Sequence, residues 1–173
     1  LFGFAAAAIA GFILTAIPNW TGRLPVSGWR LGLLVAFWLV GRLGFITSVS
    51  LGPLVTAVLD LAFLTTLALM IGRELISGKN WRNLPVLLLI SFFTLGNWLV
   101  HLELTGLTET AEIGIRLSTF VLSILIAVIG GRIVPSFTRN WLVRNGAVVL
   151  PEPMGRFDTI ALVALIVFVI AQV

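Results

Sequence analysis

The run LVTAVLDLAFLTTLALMI, residues 54–71, holds a single charge, Asp60, in eighteen positions. At 1.5 Å per residue a helix of that length extends about 27 Å, close to the roughly 30 Å hydrocarbon layer of a bilayer. A buried strand of a soluble α/β domain would reach a turn after about 4–8 apolar residues. The segment therefore reads as a helix that crosses a membrane.

Its neighbours repeat the pattern. Apolar segments run over Leu1–Ile17, Trp29–Ile46, Leu54–Ile71, Leu84–Val100, Glu112–Val134 and Thr159–Val173, which predicts an all-α polytopic membrane protein with about six transmembrane helices. Composition agrees: 59% of the residues are apolar and 10% charged, with a mean hydropathy of +1.13. A soluble domain of this size needs far more polar surface, with about 25% charged residues. Turn chemistry falls at the same boundaries, in Pro18-Asn19, Gly52-Pro53 and Gly78-Lys79-Asn80, and Asp158 stands where it can cap the sixth helix. The chain begins at Leu1 inside an apolar stretch, with no basic region before it, and ends apolar at Val173. The expectation is one transmembrane domain over 1–173, incomplete at both ends. The absence of cysteine excludes disulfides and thiolate metal sites within these residues. The net charge of +4 is dispersed and gives no nucleic-acid surface.

Charge sets the expected orientation. Nine basic residues (Arg23, Arg30, Arg73, Lys79, Arg82, Arg132, Arg139, Arg144 and Arg156) fall near the side reached after the first span. The other side has the Glu103, Glu109 and Glu112 cluster, with only Arg42 and Arg116 near its edge. The positive-inside rule puts the basic loops in the cytoplasm and Leu1 at the outer side. Trp20, Trp29, Trp81 and Trp141 flank the basic side as interfacial belt residues would. Gly3, Ala7 and Gly11, and again Gly28, Gly32 and Ala36, give the four-residue spacing of small side chains that lets membrane helices pack closely.

Ionisable residues at membrane depth are expensive and point to a partner or a task. Arg42 and Asp60 have matching depths on consecutive spans, so an ion pair between them is expected. Structural glue, a proton or ion pathway and a site for an anionic ligand all remain open for this pair. Asn97 and His101 are one turn apart on one helical face, and Asn97 could hold the imidazole by a hydrogen bond. His101 is the sole histidine, and imidazole is a common ligand of haem iron and copper; an interfacial, hydrogen-bonded histidine is the other reading. Arg132 follows Gly130-Gly131, where its guanidinium could meet a propionate or phosphate, or anchor beside anionic lipid head groups. The 17–23 segment IPNWTGR and the 134–141 segment VPSFTRNW each place Pro, a small polar residue, an aromatic and Thr after an odd-numbered span. This suggests a parallel internal duplication, with coincidence between two interface turns as the alternative.

Longer phrases carry a family resemblance. LFGFAAAAIAGFILTAIPNWTGR (1–23), LVGR ending at Arg42, LDLAF around Asp60, NWLVHL around His101 and IGGRIVPSFTRNWL (129–142) resemble the NnrS family, bacterial membrane proteins associated with haem, copper and nitric oxide resistance. The phrases cover most of the chain in the family's order. The resemblance implies a bundle of about twelve helices in the bacterial inner membrane, with a histidine-rich WHxHEM-like segment before the LFGF phrase. It makes His101 the leading haem or copper ligand and marks Arg42, Asp60, Asn97 and Arg132 as recurrent polar positions. The function implied is protection against nitric oxide stress, with nitric oxide or a metal-nitrosyl species as ligand and the lipid bilayer as surrounding partner. The alternatives are a secondary transporter of a small anion or metal complex and a membrane metalloenzyme acting on nitric oxide.

Overall fold

Prolines and glycines set several of the helix boundaries. Helix α1 (Phe4–Thr21) contains Pro18 in its last turn and stops where Gly22 adopts left-handed backbone, φ +67°, donating its N–H to the Pro18 carbonyl. Helix α2 spans Trp29–Ile46, and the single-turn α3 (Ser48–Leu51) carries the chain to Gly52. Gly52, at φ +76°, turns the backbone so that Pro53 can open α4 (Pro53–Ser77) at a position where its missing N–H goes unnoticed. A 3₁₀ turn, Trp81–Asn83, leads into α5 (Leu84–Leu104), followed by α6 (Ala111–Arg144) and α7 (Arg156–Ile170).

The computed structural model describes the backbone of residues 1–147, 149–150 and 155–171, and the side chains of these apart from Arg132, Val169 and Ile170. The described chain is all-α. Among the described residues five helices are long and apolar enough to cross a membrane: α1, α2, α4, α5 with its 3₁₀ lead-in, and α6. The sixth expected span, Thr159–Val173, lies within the 15-residue α7 (Arg156–Ile170) as far as Ile170, and its last two residues lie outside the described residues.

The residues divide into two compact units, Leu1–Thr119 and Phe120–Val173. In the first, α4 is the central element and packs against α1, α2 and α5. Its buried residues Ala57, Asp60, Leu64, Leu67, Ile71 and Leu75 recur every three or four positions, which is one face of a helix. Asp60 therefore sits on the same inward stripe as four leucine and isoleucine side chains. Helix α5 turns Val86, Ile90, Phe93, Asn97 and His101 inward by the same spacing. Outward positions such as Val58, Leu69 and Leu88 are exposed apolar side chains, suited to contact with lipid.

The expected small-residue seams are displaced. A Cβ added to Gly11, Gly28 or Gly32 meets nothing within 4 Å among the described residues. Of the glycines in the expected seams Gly3 alone makes a close approach, to the Arg42 side chain; the others occur at Gly41 and Gly44 against α4, and Gly96 against Gly114, where an added Cβ on either would come within 2.7 Å of the other's carbonyl oxygen. Heptad-like spacing alone does not reveal which face of a wholly apolar helix meets a neighbour, because every face is apolar.

The fifth expected span, Glu112–Val134, is part of a longer helix whose first residues belong to the first unit. Helix α6 continues through Pro135 to Arg144, and its 34 residues correspond to about 51 Å, well beyond a bilayer core of roughly 30 Å. The contrast with α1 has a local cause. Three residues after the in-helix proline α1 has Thr21 and then Gly22, whereas α6 has Thr138 and then Arg139. Without a glycine to take left-handed backbone, the helix has no reason to stop there. At α7 the expected cap takes a different form: Asp158 stands three residues inside the start and its carboxylate reaches back to accept the Gly155 N–H at 2.8 Å.

Candidate functional site

Three helices bring their polar residues to one carboxylate. Asp60 of α4 is 5% exposed, and its Oδ1 forms an ion pair with the Arg42 guanidinium of α2. Its Oδ2 lies 2.9 Å from His101 Nε2 and accepts a bond of 3.3 Å from the Asn97 amide nitrogen, both from α5. Asn97 is 1% and His101 3% exposed. The expected Arg42–Asp60 pair is thus present. Asn97 and His101 do share a face, but each meets Asp60 and no hydrogen bond joins them to each other.

Backbone architecture makes this meeting possible. Gly41 precedes Arg42, and a Cβ there would stand 3.2 Å from the Asp60 Cα and 3.1 Å from the Leu59 carbonyl. The absence of that carbon lets α2 and α4 touch almost backbone to backbone, within reach of an ion pair. The amino-terminal segment closes over the arginine: an added Cβ on Gly3 would lie 2.6 Å from the Arg42 guanidinium, and Trp38 Nε1 donates to the Gly3 carbonyl at 3.0 Å. Phe2 stacks obliquely on Phe93, with ring centroids 5.3 Å apart. Gly3 thus packs against the Arg42 side chain, while Leu1 and Phe4 point away and are exposed. Gly41, Gly3 and Trp38 carry no chemistry of their own, so a search for ionisable groups passes over them. The signal that could have found Gly41 was its adjacency to an arginine inside an apolar span.

The network leaves specific atoms free. A carboxylate only accepts hydrogen bonds, so Nε2 of a neutral His101 carries the proton and Nδ1 presents a lone pair. That Nδ1 is buried without a hydrogen-bond partner among the described residues, as are Asn97 Oδ1 and Arg42 Nε. Buried polar atoms in a folded protein are nearly always partnered. Three orphans around one carboxylate are therefore notable.

His101 also lines an open groove of about 430 Å³ between α4 and α5. Its walls are mainly apolar, formed by residues such as Leu54, Val58, Leu61 and Leu102, with Thr65 and Trp98 bonded to each other at 3.3 Å. Imidazole is the one ionisable group on this lining.

As a donor set the cluster offers a single imidazole, oriented by a carboxylate. Metal-bound histidines characteristically hand their other N–H to such a carboxylate. One imidazole matches the single protein donor that haem iron takes on one side, and the nitrogen left to provide it is the buried Nδ1, since Nε2 is engaged by Asp60. A copper site needs further nitrogen or sulfur donors, and among the described residues no three His, Cys, Asp or Glu side chains converge. Arg132 falls on α6, more than thirty positions beyond His101 in sequence, and its side chain is outside the described residues.

The family model described as NnrS protein matches residues 1–173. No curated protein and no solved structure matches the chain.

Proposed function

Because the chain belongs to the NnrS family, we propose that it is a membrane protein protecting the cell against nitric oxide, with His101 as a ligand of haem iron. One observation carries this proposal: the His101 imidazole is tied through Nε2 to a buried carboxylate at 2.9 Å, while Nδ1 remains buried and unpartnered. Haem iron, when bound, supplies a coordination position for nitric oxide. Copper, also implied by the family resemblance, would require donors additional to His101.

Each residue of the cluster has a role in this scheme. Asp60 fixes the imidazole's tautomer and direction. Arg42 balances the carboxylate's charge, without which an ionised Asp60 at membrane depth would be prohibitively costly. Asn97 holds the shared oxygen from the same helix as His101. The apolar groove beside His101 gives a small uncharged gas a route from lipid. The nine basic residues on one side support cytoplasmic basic loops, and the family resemblance supports a place within a bundle of about twelve helices in the bacterial inner membrane. Carriage of an anion is less well supported, since the charge of Arg42 is already matched by Asp60.

Optical spectroscopy of the purified full-length protein tests the ligand. His101→Ala and His101→Gln should each shift the Soret band or lower haem content per protein, with helical content retained. An unchanged band at full haem content in both variants would remove His101 from the haem site.

A further inference from the structure

The basic end of the first unit contains two adjoining cavities that no part of the proposed haem function uses. One, of about 630 Å³, is lined by Arg23, Arg30, Trp29, Glu74 and the backbone and side chains of the Gly22–Ser27 connection. The other, of about 220 Å³, shares Val26, Trp29, Arg30 and Glu74 and adds Arg73 together with Leu33, Leu34, Thr66 and Met70. The two form a continuous feature, polar where it meets the connection and apolar where it runs down between α2 and α4.

The charges in it do not cancel. Arg23 Nε donates to Glu74 Oε2 at 2.7 Å, which accounts for the one carboxylate on the lining. Arg30 and Arg73 have no carboxylate within ion-pair distance among the described residues; Arg30 lies over the Trp29 ring, 5.7 Å from its centroid. Two uncompensated guanidiniums thus face an opening at the level where α1 ends, α2 begins and α4 ends. Trp29, 74% exposed, occupies the position of an interfacial anchor. Gly28 also leaves the first turn of α2 without a side-chain cap or an acidic residue, so its backbone dipole adds to the positive potential.

A ligand matched to this feature has a phosphate at one end and an acyl chain at the other. We propose that the bowl bounded by Arg30, Arg73 and Trp29 binds the phosphodiester of an anionic glycerophospholipid, one acyl chain lying along Leu33, Leu34 and Met70. Basic recesses between membrane helices are suited to such head groups, and guanidinium pairs phosphate oxygens in a bidentate manner. A membrane surface supplies this chemistry at high local concentration without a soluble partner.

The test uses full-length protein in vesicles or nanodiscs of phosphatidylglycerol or of phosphatidylcholine, with native mass spectrometry of retained lipid and thermal unfolding as two readouts. Wild type should retain phosphatidylglycerol selectively and unfold at a higher temperature in it. Arg30→Gln with Arg73→Gln should weaken that retention by roughly 30-fold, about fivefold per arginine. Arg82→Gln, a basic residue outside both cavities, serves as the control and should leave retention unchanged. Glycerol phosphate added to phosphatidylcholine samples separates the sources of phosphate: stabilisation by it equal to that from the lipid would overturn the lipid assignment in favour of a free-anion site. Equal phosphatidylglycerol retention by wild type and the double variant would overturn the site itself.

Discussion

Helix α4 carries two carboxylates, each paired with an arginine from another segment, and the two pairs behave as different chemical objects. Asp60 and Glu74 are separated along the helix axis by about 21 Å. Asp60 is 5% exposed and has Arg42, His101 and Asn97 converging on it from two other helices. Glu74 meets only Arg23, whose side chain is 43% exposed, at the end where α1 stops. Water reaches Arg23 of the outer pair directly, and Glu74, with a side chain 12% exposed, in part. At the inner site the Asp60 side chain is 4% exposed, and Arg42, 29% exposed, lies inside an apolar span, so a charge left without its partner would stay in an apolar medium. Burial thus turns one ion pair into a fixed framework and leaves the other a marginal surface contact.

The largest expected effect follows directly. Asp60→Ala strands Arg42 and His101 together and should destabilise the full-length protein by about 3–5 kcal/mol, the usual penalty for breaking a buried pair from one side. Unfolding in mixed detergent micelles measures it. Adding Arg42→Met to that background removes the stranded cation and should recover a substantial part of the loss. If the single variant lost under about 1 kcal/mol, Asp60 would be no better than a surface carboxylate, and the contrast with Glu74 would collapse.

Much of this inner cluster was legible in the residues, and the reason is physical. A charge inside an eighteen-residue apolar run has to find compensation, so Asp60 and Arg42 at matching depth identified each other. Asn97 and His101 were recognisable as neighbours from helical spacing. Their common target was not, because apolar residues run around the whole circumference of α4 and α5 and the few polar ones do not mark which face meets the neighbour. The helix crossings escaped for the same reason: Gly41 and Gly96 make contacts, whereas Gly11 and Gly32 do not, although all are small residues in apolar helices. The length of α6 was missed because Pro135 was read as a terminator, and its effect depends on whether a glycine follows to complete the turn.

A smaller effect is expected at the crossing that holds the inner pair together. Gly41→Ala places a carbon 3.1–3.2 Å from α4 backbone, which has to give by a few tenths of an ångström. Overpacking of this kind destabilises by about 1–3 kcal/mol. The same substitution at Gly11, where an added Cβ meets nothing, should stay within about 0.5 kcal/mol, the range for a site without close neighbours. Equal losses at the two glycines in the unfolding assay would mean that the close approach to Asp60 does not explain the Gly41 value, since the higher helix propensity of alanine favours both variants.

The outer pair supplies the smallest effect and the sharpest dependence on conditions. Arg23→Ala removes one exposed charge pair, so the loss should fall between zero and about 1 kcal/mol. Asn80 and Thr21 limit it further: the Asn80 amide donates to the Trp20 carbonyl, and Gly78 allows Thr21 to sit against it, so the end of α1 remains held after the salt bridge is gone. Whatever Arg23 does contribute should shrink between low salt and about 1 M salt, where the screening length contracts to about 3 Å. The Asp60→Ala loss should barely change over that range, because counter-ions do not enter the buried cluster. Parallel unfolding curves of the two variants across the salt series measure both. A Glu74 partner loss that was large and insensitive to salt would show that this end of α4 is also sealed from water, and that exposure is not what separates the two pairs.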